Sequence, residues 1–509
     1  MTLADFKQGP WKREHSHPAY KDSALAISPA PEYASSEVLV ASLYRTIGFE
    51  SISEGGVPQA GRDLDKRIQK LRDKHLPSPK DATVGVDTWN TVLHGILESP
   101  KLPNQSSKRF LQVTPLVPGT ASFSGSARLS SNSWPAGSLI RRMVWLGSQD
   151  HESALALWHD LYSALSVVKS DDIFARWLQE EASAWDCSPE WKFVSVSPTN
   201  VAHLAQEDFH AIKFLPARQF VKDLRAIILA KDAMTRRQWT SLLEAILRLA
   251  AVTHVTWLCD VQARIWRSLS EALENRGLTN EAAVREAIFP TKPQYMTYGG
   301  KALNNLKDKT SGYLTARLGI NTTLWALEQV GEPYTDDMSS SSGIANLCKH
   351  IHSNLSLLNA LDVKGIFLDV REQEARALNC KKGIGANLLE FARHLLGQRQ
   401  TAVQLLRGYD QGYILKKKGP YPSSPWVVSL GPVAVLALVH CALAGMGGAR
   451  SIHRLGQHLA EYGIAVDRHD ITRNDLGHQL RMLGLVLDSP DAESGMLLLP
   501  PFPATEVNK

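Results

Sequence analysis

The stretch "ITRNDLGHQLRMLGLVLDSPDAESGMLLLPPF", residues 471–502, decides how the end of this chain is read. Leu476, Leu480 and Leu483 recur at steps of four and three, which puts them on one face of a helix ended by Gly484. "LVLD" and "MLLL" are short β-prone runs on either side of "SPDAESG", a turn of Ser, Pro, Asp and Gly. A helix followed by an antiparallel hairpin is the expected local structure.

Two further helices stand before it. "SIHRLGQHLAEYGI" sets Ile452, Leu455, Leu459 and Tyr462 on one face, with Ser451 as N-cap and Gly463 just past the end. "GPVAVLALVHCALAG" is apolar nearly all round, as a central helix is. Helix, helix, helix, hairpin resembles the winged-helix superfamily over roughly 75 residues. The resemblance implies a third helix lying in a DNA major groove and a hairpin touching backbone. Carried onto this chain, the exposed positions of that helix are Arg473, Asn474, His478 and Arg481, and Arg and Asn are good readers of base edges. Just upstream, Lys416, Lys417 and Lys418 precede Tyr421 and Trp426, a basic cluster suited to a phosphate backbone. From Arg407 to Arg481 there are nine Lys/Arg against five Asp/Glu.

Other residues oppose DNA. The hairpin carries Asp488, Asp491 and Glu493 and no Lys or Arg, and Asp467, Asp470 and Asp475 flank the helix start. Phosphate repels carboxylates. A unit that faces protein therefore stays open beside one that faces DNA.

The chain has 509 residues, too many for one ordinary core, and three or four domains are expected. The composition, 44% hydrophobic and 21% charged, is that of a soluble globular protein. Fifty-six basic residues against 51 acidic give +5, so any nucleic-acid surface must be a local patch. The five cysteines, Cys187, Cys259, Cys348, Cys380 and Cys441, include no C-x-x-C pair, which points to a reducing cytoplasm. The first residues lack the apolar core of a signal peptide. The longest apolar run, "WVVSLGPVAVLALVHCALAGMGG", is broken by Ser429, Gly431, Pro432 and His440 and reads as a buried helix, so no membrane is expected.

The expected fold class is mainly α, a multi-domain helical protein with a small β-containing segment and a C-terminal winged-helix-like domain. Residues 1–35 are polar and Pro-rich and read as an extended arm. A helical or mixed unit spans 36–147, with helices in "SSEVLVASLYRTIGF", "GRDLDKRIQKLRDKHL" and "DTWNTVLHGILES". Its second half, rich in Ser, Gly and Pro, reads as a few strands or a long loop. A central helical domain covers 148–335 and contains a long helix capped by Thr235 and ended near Gly277. β-Branched residues from Thr253 to Thr256 predict one break in that helix. "FVSVSP" is a short strand candidate, and "GEPYTDDMSSSSG" is a boundary loop. A helical domain follows at 344–415 and the winged-helix-like unit at 425–509.

Chemical motifs are sparse. There is no G-x-x-x-x-G-K-[ST] and no G-x-S-x-G, and "KKGIGANLLEF" lacks the third glycine of a dinucleotide fingerprint. "CKHIH" groups Cys348, His350 and His352, good zinc ligands that still need partners from elsewhere. Asp172, Glu190 and Lys192 have the spacing of a Mg²⁺-dependent nuclease, although Glu190 follows Pro189 and precedes the β-like run. Asp369, Glu372 and Glu374 read as exposed acids at a helix start, and Arg236 and Arg237 as solvated cations beside a core Trp239. No catalytic residue, metal or cofactor is assigned.

In texture, the stretches "TRRQWTSLLEAILRLAAVTHVTWLC" and "LRMLGLVLDSPDAESGMLLLPPF" in a helical chain of this length resemble accessory subunits of bacterial anti-phage defence systems. That resemblance implies DNA or partner recognition beside a separate ATPase, helicase or nuclease. The expected function is thus a non-catalytic cytoplasmic subunit that binds nucleic acid or a protein partner. A Mg²⁺-dependent nuclease and a purely structural scaffold are the alternatives.

Overall fold

A computed structural model describes residues 1–27, 36–49, 83–97, 114–121, 136–183, 190–195, 203–398, 410–419, 421, 423–446, 448–467, 474–488 and 496–502. The chain is mainly helical. Its helices are α1 (Leu3–Gln8), α2 (Pro18–Lys21), α3 (Ser36–Gly48), α4 (Val86–Leu97), α5 (Pro118–Ala121), α6 (Ala136–Gly147), α7 (His151–Leu165) and α8 (Ile173–Ser183). There follow α9 (Gln206–Ala211), α10 (Pro216–Leu229), α11 (Arg236–Ala272), α12 (Glu281–Ile288), α13 (Leu303–Gln329), α14 (Ser341–Ser353), α15 (Leu355–Ala360), α16 (Val363–Gln373), α17 (Ala375–Leu378) and α18 (Gly383–Leu396). The last three are α19 (Pro432–Leu443), α20 (His453–Ala460) and α21 (Asp475–Met482). Short strands are β1 (Met296–Thr297), β2 (Leu415–Lys417), β3 (Trp426–Val428), β4 (Arg450–Ser451), β5 (Ile464–Ala465), β6 (Val486–Asp488) and β7 (Met496–Leu498).

The 37-residue α11 organises the rest. At 1.5 Å per residue it is about 55 Å long. Thr235 caps it through a reciprocal capping box with Gln238. It is apolar on nearly every face because α13, α10, α19, α14 and α18 surround it. The helix is long and apolar enough to cross a membrane, yet 94% of its most apolar window is buried inside the protein. That surface is already satisfied by the core. α13 crosses α11 closely at Gly319, where a Cβ would come within 2.4 Å of the Trp266 ring. One continuous buried cluster takes in residues from Leu3 to Leu498. A second, small one is formed by Trp89, Leu93, Leu116, Val117, Ala175, Leu178 and Ala182.

Several local expectations are corrected. α11 does not break: Thr253 donates its hydroxyl to the Leu249 carbonyl at 2.9 Å and Thr256 to that of Val252 at 2.8 Å. The helix itself therefore satisfies the β-branched residues that suggested a break. In the stretch read as strands or loop, residues 136–147 form α6, whose buried Ile140, Met143, Val144 and Trp145 pack against α3 and α10. "FVSVSP" joins no sheet over its described residues. The Lys192 and Val194 amides donate to the Gly48 and Ile47 carbonyls, both at 3.0 Å, and so satisfy the C-terminus of α3. "GRDLDKRIQKLRDKHL" lies outside the described residues.

The segment read as an extended arm is also different where described. Residues 1–27 contain α1, with a Thr2–Asp5 capping box, and α2, capped by His17 with Pro18 at its first position. Phe6, Tyr20 and Leu25 are buried. Arg317, Asn321 and Trp325, at helical steps of four on α13, hold the backbone. The Asn321 Oδ1 accepts from the His17 amide at 2.8 Å, Trp325 donates to the His15 carbonyl at 2.9 Å, and Arg317 donates to the Trp11 carbonyl at 3.2 Å. Backbone groups outside regular structure must find partners when buried, and here α13 side chains supply them. The aromatic residues set among the prolines are the anchors.

Candidate nucleic-acid interface

After α18 the chain enters the β2–β3 hairpin, with Lys416 opposite Val427 and Lys417 opposite Trp426. Leu415 and Val428 face the core, Lys416 and Lys418 are exposed, and Lys417 is half-buried. This is the inside–outside alternation of a strand. The hairpin is held firmly at its base. The Ile414 amide donates to the Leu396 carbonyl and the Gln398 amide to the Leu415 carbonyl, both at 2.8 Å. Trp426 packs over Gly397, where a Cβ would meet its ring at 3.2 Å. Beneath it, the fully buried Arg248 of α11 lies 2.8 Å from Asp410 and donates to the Leu395 and Gly397 carbonyls.

A fourth lysine joins the cluster from far away in the chain. Lys301 forms an isolated antiparallel bridge with Val427 and is exposed. Directly paired residues share a face, so Lys301, Val427 and Lys416 form one row across the strands. Nothing in the local sequence marks Lys301. Among the described residues none of these four lysine side chains has an ion-pair partner.

The hairpin base touches the last helix. Ser429, one residue past β3, donates to Asp475 in the first turn of α21 at 3.0 Å. Asn474 is the N-cap of α21, its side-chain Oδ1 accepting from the Leu476 amide at 2.9 Å and from the Gly477 amide at 3.2 Å. The oxygen expected to read a base is thus engaged by the helix itself, and the Asn-Asp pair ahead of a leucine was the readable signal. His478 and Arg481 are exposed, and Arg481 also reaches the Met496 sulfur at 3.4 Å. Arg473 lies outside the described residues.

The expected hairpin is present as β6–β7, with Leu487 opposite Leu497, and β4 adds on the other side of β7. The order from α19 is helix, strand, helix, helix, strand, strand, apart from the two-residue β5, which pairs with β1 in the helical body. The three-stranded sheet runs β4–β7–β6. Leu487 and Leu497 are exposed on its outer face, as is Met482 at the end of α21. Asp491 and Glu493 lie outside the described residues.

This C-terminal part is bolted to the helical body. The Tyr462 hydroxyl donates to Asp223 of α10 at 2.6 Å, and His458 Nε2 lies 3.0 Å from the same oxygen. β5 pairs in parallel with β1, and the Gly463 carbonyl accepts from the Tyr295 amide at 2.8 Å.

The other candidates are dispersed. Asp172 accepts from the Ala175 amide at 3.0 Å and the Arg236 amide at 2.8 Å, so both of its oxygens are occupied by helix starts, while Glu190 and Lys192 are exposed. Cys348 is buried and its thiol pushed up to about 12 by desolvation. His350 and His352 turn to the carbonyls of Glu332 and Arg276, each at 2.9 Å. Among the described residues no three His, Cys, Asp or Glu side chains group to hold a metal. Arg236, expected in solvent, is buried. It donates to the Leu116 and Ser166 carbonyls at 2.7 and 3.0 Å and also to that of Leu165.

No family model matches the chain, and no curated protein matches it.

Proposed function

We propose that this protein is a non-catalytic DNA-binding subunit whose C-terminal part is a winged-helix module. The observation that carries the reading is the row of exposed, firmly anchored lysines beside the start of α21. Lys301, Lys416 and Lys418 have no acidic partner among the described residues and stand on or beside the β2–β3 pair, next to the helix that would enter a groove. The helix and strand order from α19 to β7 supports the module. The enzymes needed for catalysis, an ATPase, helicase or nuclease, would be separate chains of the same assembly.

The test is DNA binding by the full-length protein at several salt concentrations, comparing wild type with the triple substitution Lys416→Glu, Lys417→Glu, Lys418→Glu. We expect affinity to fall steeply with salt and the triple variant to lose most of its binding. Equal binding by the variant, or none by the wild type at low salt, would remove the reading.

A second reading has its own observation. Leu487 and Leu497 form an exposed cross-strand apolar pair, with Met482 also exposed on α21. Phosphate has no use for such a face, and a protein partner does. If DNA binding fails, the module faces protein through that sheet.

A further inference from the structure

A cavity of about 360 Å³ lies between α4, α8 and the start of α11, far in sequence from the lysine row. Val92, Ile96, Leu116, Ala175, Leu178 and, at the side, Phe174 give it apolar walls. Its floor is the small second core around Trp89 and Leu178. The cavity is a cleft half open to solvent, with Phe174, Thr235 and Arg237 exposed in its lining. The volume is within the range of small-molecule sites.

The polar lining is nearly all spoken for. Asp172 uses its oxygens on the Ala175 and Arg236 amides, so its charge faces two helix N-termini. Thr235 is engaged with Gln238 in the capping box. Arg236 turns its guanidinium away to the carbonyls of Leu116, Leu165 and Ser166. Arg237 differs: it is exposed and its side chain has no hydrogen bond or ion pair among the described residues. One uncommitted cation thus borders a largely apolar cleft whose other polar groups are engaged.

We propose that this cavity binds a small apolar carboxylic acid, its hydrocarbon body among Val92, Ala175 and Leu178 and its carboxylate on Arg237. The probes are 4-phenylbutyrate and its neutral counterpart 4-phenylbutanol, titrated calorimetrically into the full-length protein. Saturable one-to-one binding of the acid is expected. Arg237→Ala should weaken the acid about tenfold and leave the alcohol unchanged, the size of a charge-assisted contact worth about 1.4 kcal/mol. Ala175→Phe should fill the chamber and abolish binding of both probes; Val92→Phe does the same from α4 if the first variant does not fold. No saturable binding by the wild type, or binding that survives both fillings, overturns the site. An unchanged preference for acid over alcohol in Arg237→Ala overturns its anionic character.

Discussion

Three arginines of the helical body and three lysines around the β2–β3 hairpin are handled in opposite ways. In the body, Arg236, Arg248 and Arg317 are buried and donate to main-chain carbonyls. At the C-terminal face, Lys301, Lys416 and Lys418 are exposed and meet no acid among the described residues. The planar, five-donor guanidinium suits the first task and the hydrated ammonium the second. The contrast teaches that a count of basic residues does not locate a binding surface. What locates it is whether each charge is already discharged inside the fold.

Substitutions can break this contrast at either end. The largest effect is expected from Arg248→Met. It removes the guanidinium from Asp410 and from the Leu395 and Gly397 carbonyls, and chemical denaturation should reveal a loss of about 3–5 kcal/mol. A loss below about 1 kcal/mol would mean that the buried arginines are not the ties described.

Next comes an acid effect. Burial, with help from Arg142, holds the His254 pKa down at about 3, and neither ring nitrogen has a hydrogen-bond partner among the described residues. The unfolded chain takes up that proton near pH 6.5 and the folded protein does not. Stability should therefore be undiminished above about pH 6.5 and decline as the pH falls toward 3. In His254→Leu, melting curves between pH 7 and pH 4 should show a shallower decline, amounting to a few kcal/mol at the acid end.

A smaller effect separates cap from reader. Asn474→Ala should cost about 1 kcal/mol of stability, whereas Asn474→Asp should restore it because aspartate caps as well. If Asn474→Asp keeps both stability and DNA affinity, the residue acts only through the helix. Smallest of all, Lys301→Glu should change stability by less than about 0.5 kcal/mol and lower the slope of log affinity against log salt by about one. An unchanged slope would leave Lys301 outside the surface.

Local periodicity made the end of the chain legible. The leucine steps, Gly484 and the two short runs gave α21 and the β6–β7 hairpin because neighbours in sequence decide both. The Thr235 cap was readable for the same reason. What escaped depended on distant partners. Residues 1–27 look polar alone and become ordered because α13 supplies donors. Arg236 looks solvated until Leu116 and Ser166 close over it. Lys301 joins the lysines only because Val427 bridges to it.

The clasp on residues 1–27 has a consequence for how the protein is made. The His17 amide binds a side chain 304 positions further along. At roughly 5–20 residues per second, a ribosome needs on the order of 15–60 s to deliver that partner. Throughout that interval Phe6, Tyr20 and Leu25 have left the ribosome without the helix that will cover them. Residues 1–27 therefore wait for a partner made 304 positions later, and during that interval their aromatic side chains are surface for a chaperone to hold.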